Sequence, residues 1–195
     1  MTIDRWDHPM KTIILAALSC GLPCLGWAGP QQQTYRKTLD QPAEIDGYPC
    51  AKGYAWFYAD GHLEQCAVSR DTGFGEAQAP AGSIVVLLPD GKPKYLMLVH
   101  NAPLLGYRCM GGGPLGPAEG AMTFFYPSGK LRLCWLAEDQ VVQGLPCMAA
   151  AGFWGTLFHY GGAGTSFHEN GKLHSCTLSK DYRGHRRGEL FRQAP

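Results

Sequence analysis

The chain has few charged side chains and no excess of either sign. Lysine and arginine number 17, and aspartate and glutamate 16, which gives a formal net charge of +1 over 195 residues. Proteins that bind nucleic acids usually carry a basic excess that neutralises phosphates, so we expect no nucleic-acid partner. The chain also lacks sustained helical periodicity. Its 26 glycines and 14 prolines instead indicate strands and turns.

The sequence lacks the common motifs of catalytic and cofactor sites. It has no C-x-x-C pair, no zinc-ribbon ligand spacing and no G-x-S-x-G nucleophile turn. The glycine-rich segments at 111–117 and 161–164 do not lead into the Gly-Lys-Ser/Thr of a phosphate-binding loop, and we interpret them as linkers. We therefore expect no enzymatic activity and no cofactor.

Long apolar runs are missing as well, because the run at 12–18 is soon interrupted by Gly21 and Pro23. Together with the preceding Met10-Lys11 it is typical of a secretory signal peptide, and Gly26-Trp27-Ala28 predicts cleavage after Ala28. The prediction is a signal peptide at 1–28, with Met10 as an alternative start, and export to the periplasm or the cell exterior. A less favoured alternative is a lipoprotein modified at Cys20, although Ala17 stands where the usual lipobox has leucine.

A ten-residue phrase occurs four times, at 57–66, 87–96, 125–134 and 167–176. Each copy has an apolar strand, a turn that ends in glycine, and a second strand that carries a cysteine five residues after the glycine in three of the four copies. Asp-Gly, Ser-Gly and Asn-Gly between apolar runs predict β-hairpins. The sequence therefore predicts an all-β fold, an elongated array of about four stacked antiparallel hairpin repeats.

The six cysteines after the leader predict disulfide bonds within the repeats. Three linkers share an aspartate or asparagine, a glycine and then a cysteine, which places Cys50, Cys109 and Cys147 before the hairpin cysteines Cys66, Cys134 and Cys176. In the second unit, Gln78 aligns with the linker cysteine and Leu96 with the hairpin cysteine. Joint loss of two cysteines favours the intra-unit pairs Cys50–Cys66, Cys109–Cys134 and Cys147–Cys176. The alternative joins Cys134 to Cys147, Cys66 to Cys109 and Cys50 to Cys176.

Two copies resemble the hairpin core of MORN-type repeats and the related repeats of bacterial antitoxin-like proteins. They are Phe-Tyr-Pro-Ser-Gly-Lys-Leu at 125–131 and Phe-His-Glu-Asn-Gly-Lys-Leu at 167–173, and the resemblance covers most of residues 38–182. It implies a sheet of stacked hairpins that serves as a scaffold or binding surface without catalysis. The cysteines and the long linkers depart from the MORN pattern, which argues against an intracellular role.

The repeats divide the chain into a signal peptide, a linker at 29–37, a hairpin-repeat domain at 38–182 and a basic tail at 183–195. Lys180, Arg183, Arg186, Arg187 and Arg192 stand against Asp181 and Glu189, so five basic and two acidic residues give +3 near the end. The tail is expected to cap the last hairpin. A weak contact with an anionic surface is the alternative.

Two groups of side chains are candidates for a functional site. The linker at 148–164 is enlarged, and insertions in repeat arrays often lie on the binding face, so Phe153, Trp154 and Tyr160 are candidates for partner contact. His159, His168 and His174 are the alternative, as ligands of a metal-binding protein or metal-dependent hydrolase. Because Tyr58 and Tyr126 occupy the repeat position of His168, the histidines are better explained as an exposed hairpin pair. The sequence thus predicts an exported, non-enzymatic binding or scaffold module whose partner is a protein or another envelope component.

Overall fold

The computed structural model describes residues 33–112, 122–150 and 162–194. Most of these residues form strands or tight turns, and none is helical. The prediction of an all-β fold built from antiparallel hairpins is confirmed. The described part contains no helix long and apolar enough to span a membrane.

The main sheet has eleven strands, and ten of them follow one another in chain order across the sheet. They are β1 (Thr34–Leu39), β3 (Tyr48–Tyr58), β4 (Leu63–Val68), β7 (Ile84–Leu87), β8 (Pro93–Met97), β11 (Met122–Phe125), β12 (Leu131–Cys134), β15 (Thr165–Phe167), β16 (Leu173–Thr177) and β17 (Leu190–Arg192). The remaining strand, β2 (Ala43–Ile45), pairs with the beginning of β3. The sheet therefore extends into both the predicted N-terminal linker and the predicted basic tail.

Four large hairpins, one from each copy of the ten-residue phrase, form the centre of this sheet. Each turns through three residues and closes on a glycine; Gly61, for example, donates its amide to the Tyr58 carbonyl at 2.9 Å. These glycines have φ between 76° and 92°, which suits the last position of a three-residue loop. The residue before the glycine does not adopt positive φ, contrary to the sequence argument. Asp60 instead accepts the His62 amide through its side chain.

The segments predicted as linkers are hairpins themselves. β5 (Thr72–Phe74) pairs with β6 (Ala77–Ala79), β9 (Ala102–Leu104) with β10 (Tyr107–Cys109), and β13 (Gln140–Val142) with β14 (Leu145–Cys147). Together with β2 and the start of β3, they are called the small hairpins here. Three of them turn through two residues that both have positive φ, such as Asp46-Gly47 at 49° and 82°. This is the turn that matches strand twist in a two-residue hairpin.

Three of the small hairpins are separate two-stranded sheets, and the first continues from the main sheet through β3. Together they form a second layer over one face of the main sheet, which we call the inner face. Side chains from both layers form one buried cluster, and Phe74 of β5 meets Phe125 of β11 with ring centroids 5.1 Å apart. The hairpin cysteines and the residues two positions after them, such as Cys66 and Val68, are fully buried in this cluster, as their alternation predicted. The other side of the sheet is called the outer face.

Each disulfide joins a small hairpin to the large hairpin of its own unit. The bonded pairs are Cys50–Cys66, Cys109–Cys134 and Cys147–Cys176, with Cα–Cα distances of 5.7, 5.8 and 5.7 Å. The structure therefore has the intra-unit pairing, and the pairing between successive units is absent from it. Because the bonds run between the two layers, each staples the second layer to the sheet. In the chain-entropy model, loops of this length give about 3 kcal/mol of stabilisation each.

The structure of the second unit corrects the predicted position of its missing linker cysteine. Ala79, not Gln78, occupies the position of the missing linker cysteine, because Ala79 pairs with Thr72 just as Cys50 pairs with Ala43. Ala79 is fully buried, whereas the Gln78 side chain is exposed. The shift arises at the turn, where Gly75 is the first of the two central residues instead of the second. Both missing cysteines are thus replaced by buried apolar residues, Ala79 and Leu96.

Candidate functional site

The outer face carries one continuous row of side chains across all ten sequential strands. Each member is the direct pairing partner of the next, and the two ends of the row are exposed arginines. In order, the row consists of Arg36, Trp56, Gln65, Val86, Tyr95, Phe124, Leu133, Ser166, Ser175 and Arg192. Most of the members between the arginines are half-buried, and Tyr95 packs on Phe124 with ring centroids 5.6 Å apart. The row is aromatic in its middle and polar toward its C-terminal end.

A second line of side chains runs beside this row, close to the turns. In every large hairpin the register slips by one residue, so that one extra residue bulges from the returning strand. The extra residues are Glu64, Lys94, Arg132 and His174. The His174 ring lies on the outer face, where its Nδ1 is 3.0 Å from the Ser166 hydroxyl. The bulge therefore recurs in every unit, and in each unit the extra residue has a polar or charged side chain.

In the first and third large hairpins, the tyrosine that opens the turn links its unit to the next, whereas the second has Leu88 at this position. Tyr58 donates its hydroxyl to the Leu87 carbonyl at 2.7 Å, and Tyr126 donates to the Phe167 carbonyl at 2.9 Å. Burial raises the pKa of the Tyr58 phenol, and the Glu64 carboxylate raises it further, so this hydroxyl stays protonated as a donor. His168 occupies the equivalent place, and its Nε2 lies 3.2 Å from the Gln193 carbonyl beyond β17.

The two described histidines of the predicted cluster do contact each other. The rings of His168 and His174 are perpendicular, with centroids 4.6 Å apart, as expected for side chains that flank one turn. They are half-buried, not exposed as predicted. His159 lies outside the described residues. Within 33–112, 122–150 and 162–194, no three His, Cys, Asp or Glu side chains are placed to hold a metal ion together. This part of the chain therefore gives no support to a three-histidine metal centre.

The predicted partner-contact residues Phe153, Trp154 and Tyr160 lie outside the described residues. The ends of that segment are described, and Ala150 and Gly162 form an isolated bridge with each other. The Ala150 amide also donates to the Leu136 carbonyl at 2.8 Å. The enlarged linker therefore starts and finishes at one point beside the third and fourth large hairpins.

The basic tail is partly built into the sheet. β17 pairs with β16, and Arg183-Gly184 forms a further small turn that is closed by Tyr182 and His185. Asp181 accepts the Arg187 amide, and Glu189 contacts His185 at 3.2 Å, so both acidic side chains are engaged locally. The five basic side chains are exposed, and none of the ion pairs found in the described part involves them: Lys180, Arg183, Arg186, Arg187 and Arg192.

Comparison with known families gives one match, to the model of the MORN repeat variant. It covers residues 118–134 and 160–181, which contain the large hairpins of the third and fourth units. The resemblance to MORN-type repeats is confirmed. No curated protein and no solved structure matches the chain.

Sequence reasoning found the MORN-type hairpins but missed three of their features: the bulge, the tyrosine link between units, and the second layer. The tyrosine link had a signal, because Tyr58 and Tyr126 fall at the same repeat position. The bulge also had a signal, because the apolar Leu63 and Cys66 of the returning strand are three residues apart, which strict alternation between the two faces does not allow. The second layer was not predicted, because most of its strands have only three residues, which is too short for a clear hydrophobic alternation.

Proposed function

We propose that this chain is an exported, non-enzymatic binding or scaffold module. The observation that carries the proposal is the continuous outer-face row, which crosses ten strands and includes the half-buried aromatic side chains of Trp56, Tyr95 and Phe124. Aromatic side chains at a sheet surface supply large contact areas at a low entropy cost. MORN-type repeats are consistent with such a surface, and the described residues offer no assembled metal-ligand set.

Export is part of the proposal. Three disulfide bonds are typical of an oxidising compartment and argue against a cytosolic location. The proposed route is the signal peptide at 1–28 with cleavage after Ala28, to the periplasm or the cell exterior. Intact mass of the protein from its native source tests this: we expect a chain that begins at Gly29 and carries no free thiol. A chain that retains the leader, or a lipid on Cys20, would contradict it.

The proposed partner is a protein or another component of the cell envelope. Phe153, Trp154 and Tyr160 are the proposed contacts, because their linker is the longest insertion and is anchored beside the MORN-type hairpins. Capture from the native envelope fraction is the direct experiment, with the Phe153→Ala, Trp154→Ala, Tyr160→Ala triple variant beside the wild type. We expect a partner that the wild type retains and the triple variant loses. Equal capture by both chains would remove these three residues from the proposal.

The alternative of a metal-dependent protein is also testable. Elemental analysis of purified protein should find no stoichiometric metal after dialysis. A retained equivalent of zinc or copper that is lost when His168 is replaced by glutamine would favour the metal-dependent alternative instead.

A further inference from the structure

A cleft lies on the outer face between the third and fourth large hairpins, at their turn ends. It has a volume of about 380 Å³ and is lined by Tyr126, Arg132, Leu133, Ser166, Phe167, His168 and His174. Three of these side chains carry or can carry positive charge, and no acidic side chain is among them. The side chains of Tyr126 and Leu133 add apolar surface, whereas Phe167 lines the cleft with its backbone because its ring lies in the buried cluster. A cleft with this composition is suited to a ligand with an anionic group and an apolar body.

The bulge geometry places the charges in this cleft. Arg132 and His174 are the extra residues of neighbouring hairpins, so both project from the outer face beside the turn. Arg132 forms no ion pair among the residues that the structure describes. Its guanidinium group offers several N–H donors in a planar fork that matches two oxygens of a carboxylate or phosphate group.

The hydrogen bonds of the two histidines leave one ring nitrogen each for a ligand, and the charge of Arg132 favours an anion over a metal cation. His168 Nε2 faces the Gln193 carbonyl, which can only accept, so this nitrogen carries a proton. His174 Nδ1 is engaged with the Ser166 hydroxyl, which itself contacts the Ser175 hydroxyl at 2.7 Å. A neutral His168 ring therefore has only a lone pair on Nδ1, whereas His174 Nε2 carries a proton whenever Nδ1 accepts from the Ser166 hydroxyl. A divalent cation would be repelled by the Arg132 guanidinium group that lines the same cleft.

We propose that this cleft binds a small organic oxyanion, a carboxylate or phosphate attached to an aromatic or aliphatic body. Arg132 holds the charged group, His174 Nε2 supplies a further N–H donor when Nδ1 accepts from Ser166, and Tyr126 and Leu133 contact the apolar part. The site goes beyond the macromolecular contact proposed above, because it involves neither the enlarged linker nor the middle of the outer-face row.

The bulge of the second unit provides a matched control. Lys94 has the same repeat position and the same charge as Arg132, but it does not line the cleft. The Arg132→Gln and Lys94→Gln variants therefore remove one exposed positive charge each from equivalent bulges. Neither change touches the buried cluster, and thermal unfolding of both variants checks that the fold is retained.

The experiment is an NMR titration of the mature oxidised chain with benzoate, phenyl phosphate and inorganic phosphate, and with benzylamine as the cationic counterpart of the same shape. We expect saturable shifts of the His168 and His174 ring protons with benzoate or phenyl phosphate and none with benzylamine. Arg132→Gln should weaken the binding at least about tenfold, as the loss of a charge-assisted hydrogen bond would. Lys94→Gln should leave it within about twofold, as expected for a charge that makes no contact with the ligand.

Three results would overturn the proposal. The first is no saturable shift with either organic anion, and the second is an equal loss of affinity in the two variants. The third is saturable binding of Zn²⁺ to the same histidines in preference to the anions. If Arg132→Gln abolishes anion binding while envelope capture is unchanged, the cleft and the macromolecular contact are separate functions of the chain.

Discussion

Thr123 and Thr165 occupy the same position in the repeat, and each buries a hydroxyl group that has no hydrogen-bond partner in the described part of the chain. Both side chains point to the inner face beside Cys134. The equivalent residue of the second unit is Val85, which is also fully buried and has nearly the same shape without the hydroxyl. A buried hydroxyl without a partner costs about 1–3 kcal/mol.

We therefore predict that Thr123→Val and Thr165→Val stabilise the protein. Each should raise the free energy of unfolding by about 1 kcal/mol, because the buried hydroxyl is removed and the methyl contacts are kept. Urea denaturation of the oxidised protein measures the change. The reverse substitution Val85→Thr is the control and should lower the stability by a similar amount. A loss of stability in both threonine variants would mean that these hydroxyls have a partner.

Gly75 shows how one residue sets the distance between the two layers. A Cβ atom at Gly75 would lie 2.2 Å from the Gly129 carbonyl oxygen, and the neighbouring Glu76 amide donates to that oxygen at 2.9 Å. Gly106 is the turn glycine of the third small hairpin, where it is the second central residue. It also has positive φ, 85° against 60°, but a Cβ there would meet nothing within 4 Å.

Replacing these two glycines by alanine separates backbone strain from steric contact. Gly106→Ala should cost about 1–2 kcal/mol, since only the left-handed backbone opposes it. Gly75→Ala should cost about 2 kcal/mol more, because the second small hairpin must also move away from the third large hairpin. Chemical denaturation of the two variants gives the comparison. Equal costs would show that the two layers are less closely packed at this point.

At the scale of the element, the sequence predicted the large hairpins well and the small ones poorly. The large turns have Asp, Ser or Asn before glycine, between strands of three or more residues that carry apolar side chains. Two of the small turns are Leu105-Gly106 and Gln143-Gly144, which lack that chemistry, although Leu105 and Gln143 also adopt positive φ. Tertiary packing imposes that conformation, because Gln143 hydrogen-bonds to Gly171 and Leu173 of the neighbouring large hairpin.

The position of the missing cysteine in the second unit depends on the type of turn in its small hairpin. Aligning the glycines placed Gln78 opposite Leu96, but the number of residues before a turn glycine depends on the turn type. In the second small hairpin the glycine comes one residue earlier, and pairing of Thr72 with Ala79 restores the register. Turn type is set by backbone dihedral angles, which a single sequence does not reveal.

This register predicts that a fourth disulfide can be introduced. Ala79→Cys together with Leu96→Cys should form a bond, because both positions are buried and match Cys109 and Cys134 of the next unit. Intact mass and non-reducing peptide mapping detect it. Gln78→Cys with Leu96→Cys is the matched control and should leave two free thiols, since the Gln78 side chain is exposed on the opposite side of its strand. A bond in the control but not in the first variant would favour the alignment drawn from sequence.

At the scale of the whole molecule, the fold is a series of four units, and the first, third and fourth units each contain one disulfide bond. Neighbouring units are joined by the strand pairs β4–β7, β8–β11 and β12–β15, and beyond these strands Gly82, Gly112 and Ala150 donate to the carbonyls of Val68, Leu98 and Leu136 in the preceding unit. The disulfides never cross this boundary. Loss of one staple should therefore loosen one unit while the bonds of the others stay intact.

The candidate sites were less predictable than the fold. The sequence suggested that His168 and His174 would meet across a turn, and they do. It did not bring Arg132 to them, because this contact depends on bulges in two neighbouring hairpins and on the pairing of β12 with β15. Local patterns specify a hairpin, whereas the identity of its neighbour and the direction of a bulged side chain are properties of the assembled sheet.

The most direct test of the account is the disulfide map of the mature protein and of its Cys147→Ala variant, obtained by peptide mapping under non-reducing conditions. The structure predicts the pairs Cys50–Cys66, Cys109–Cys134 and Cys147–Cys176 in the wild type. In the variant, Cys176 should be the one free thiol, and the other two bonds should persist. A Cys134–Cys147 cross-link in the wild type, or a free Cys134 in the variant, would contradict the arrangement in which every disulfide bond stays within one unit.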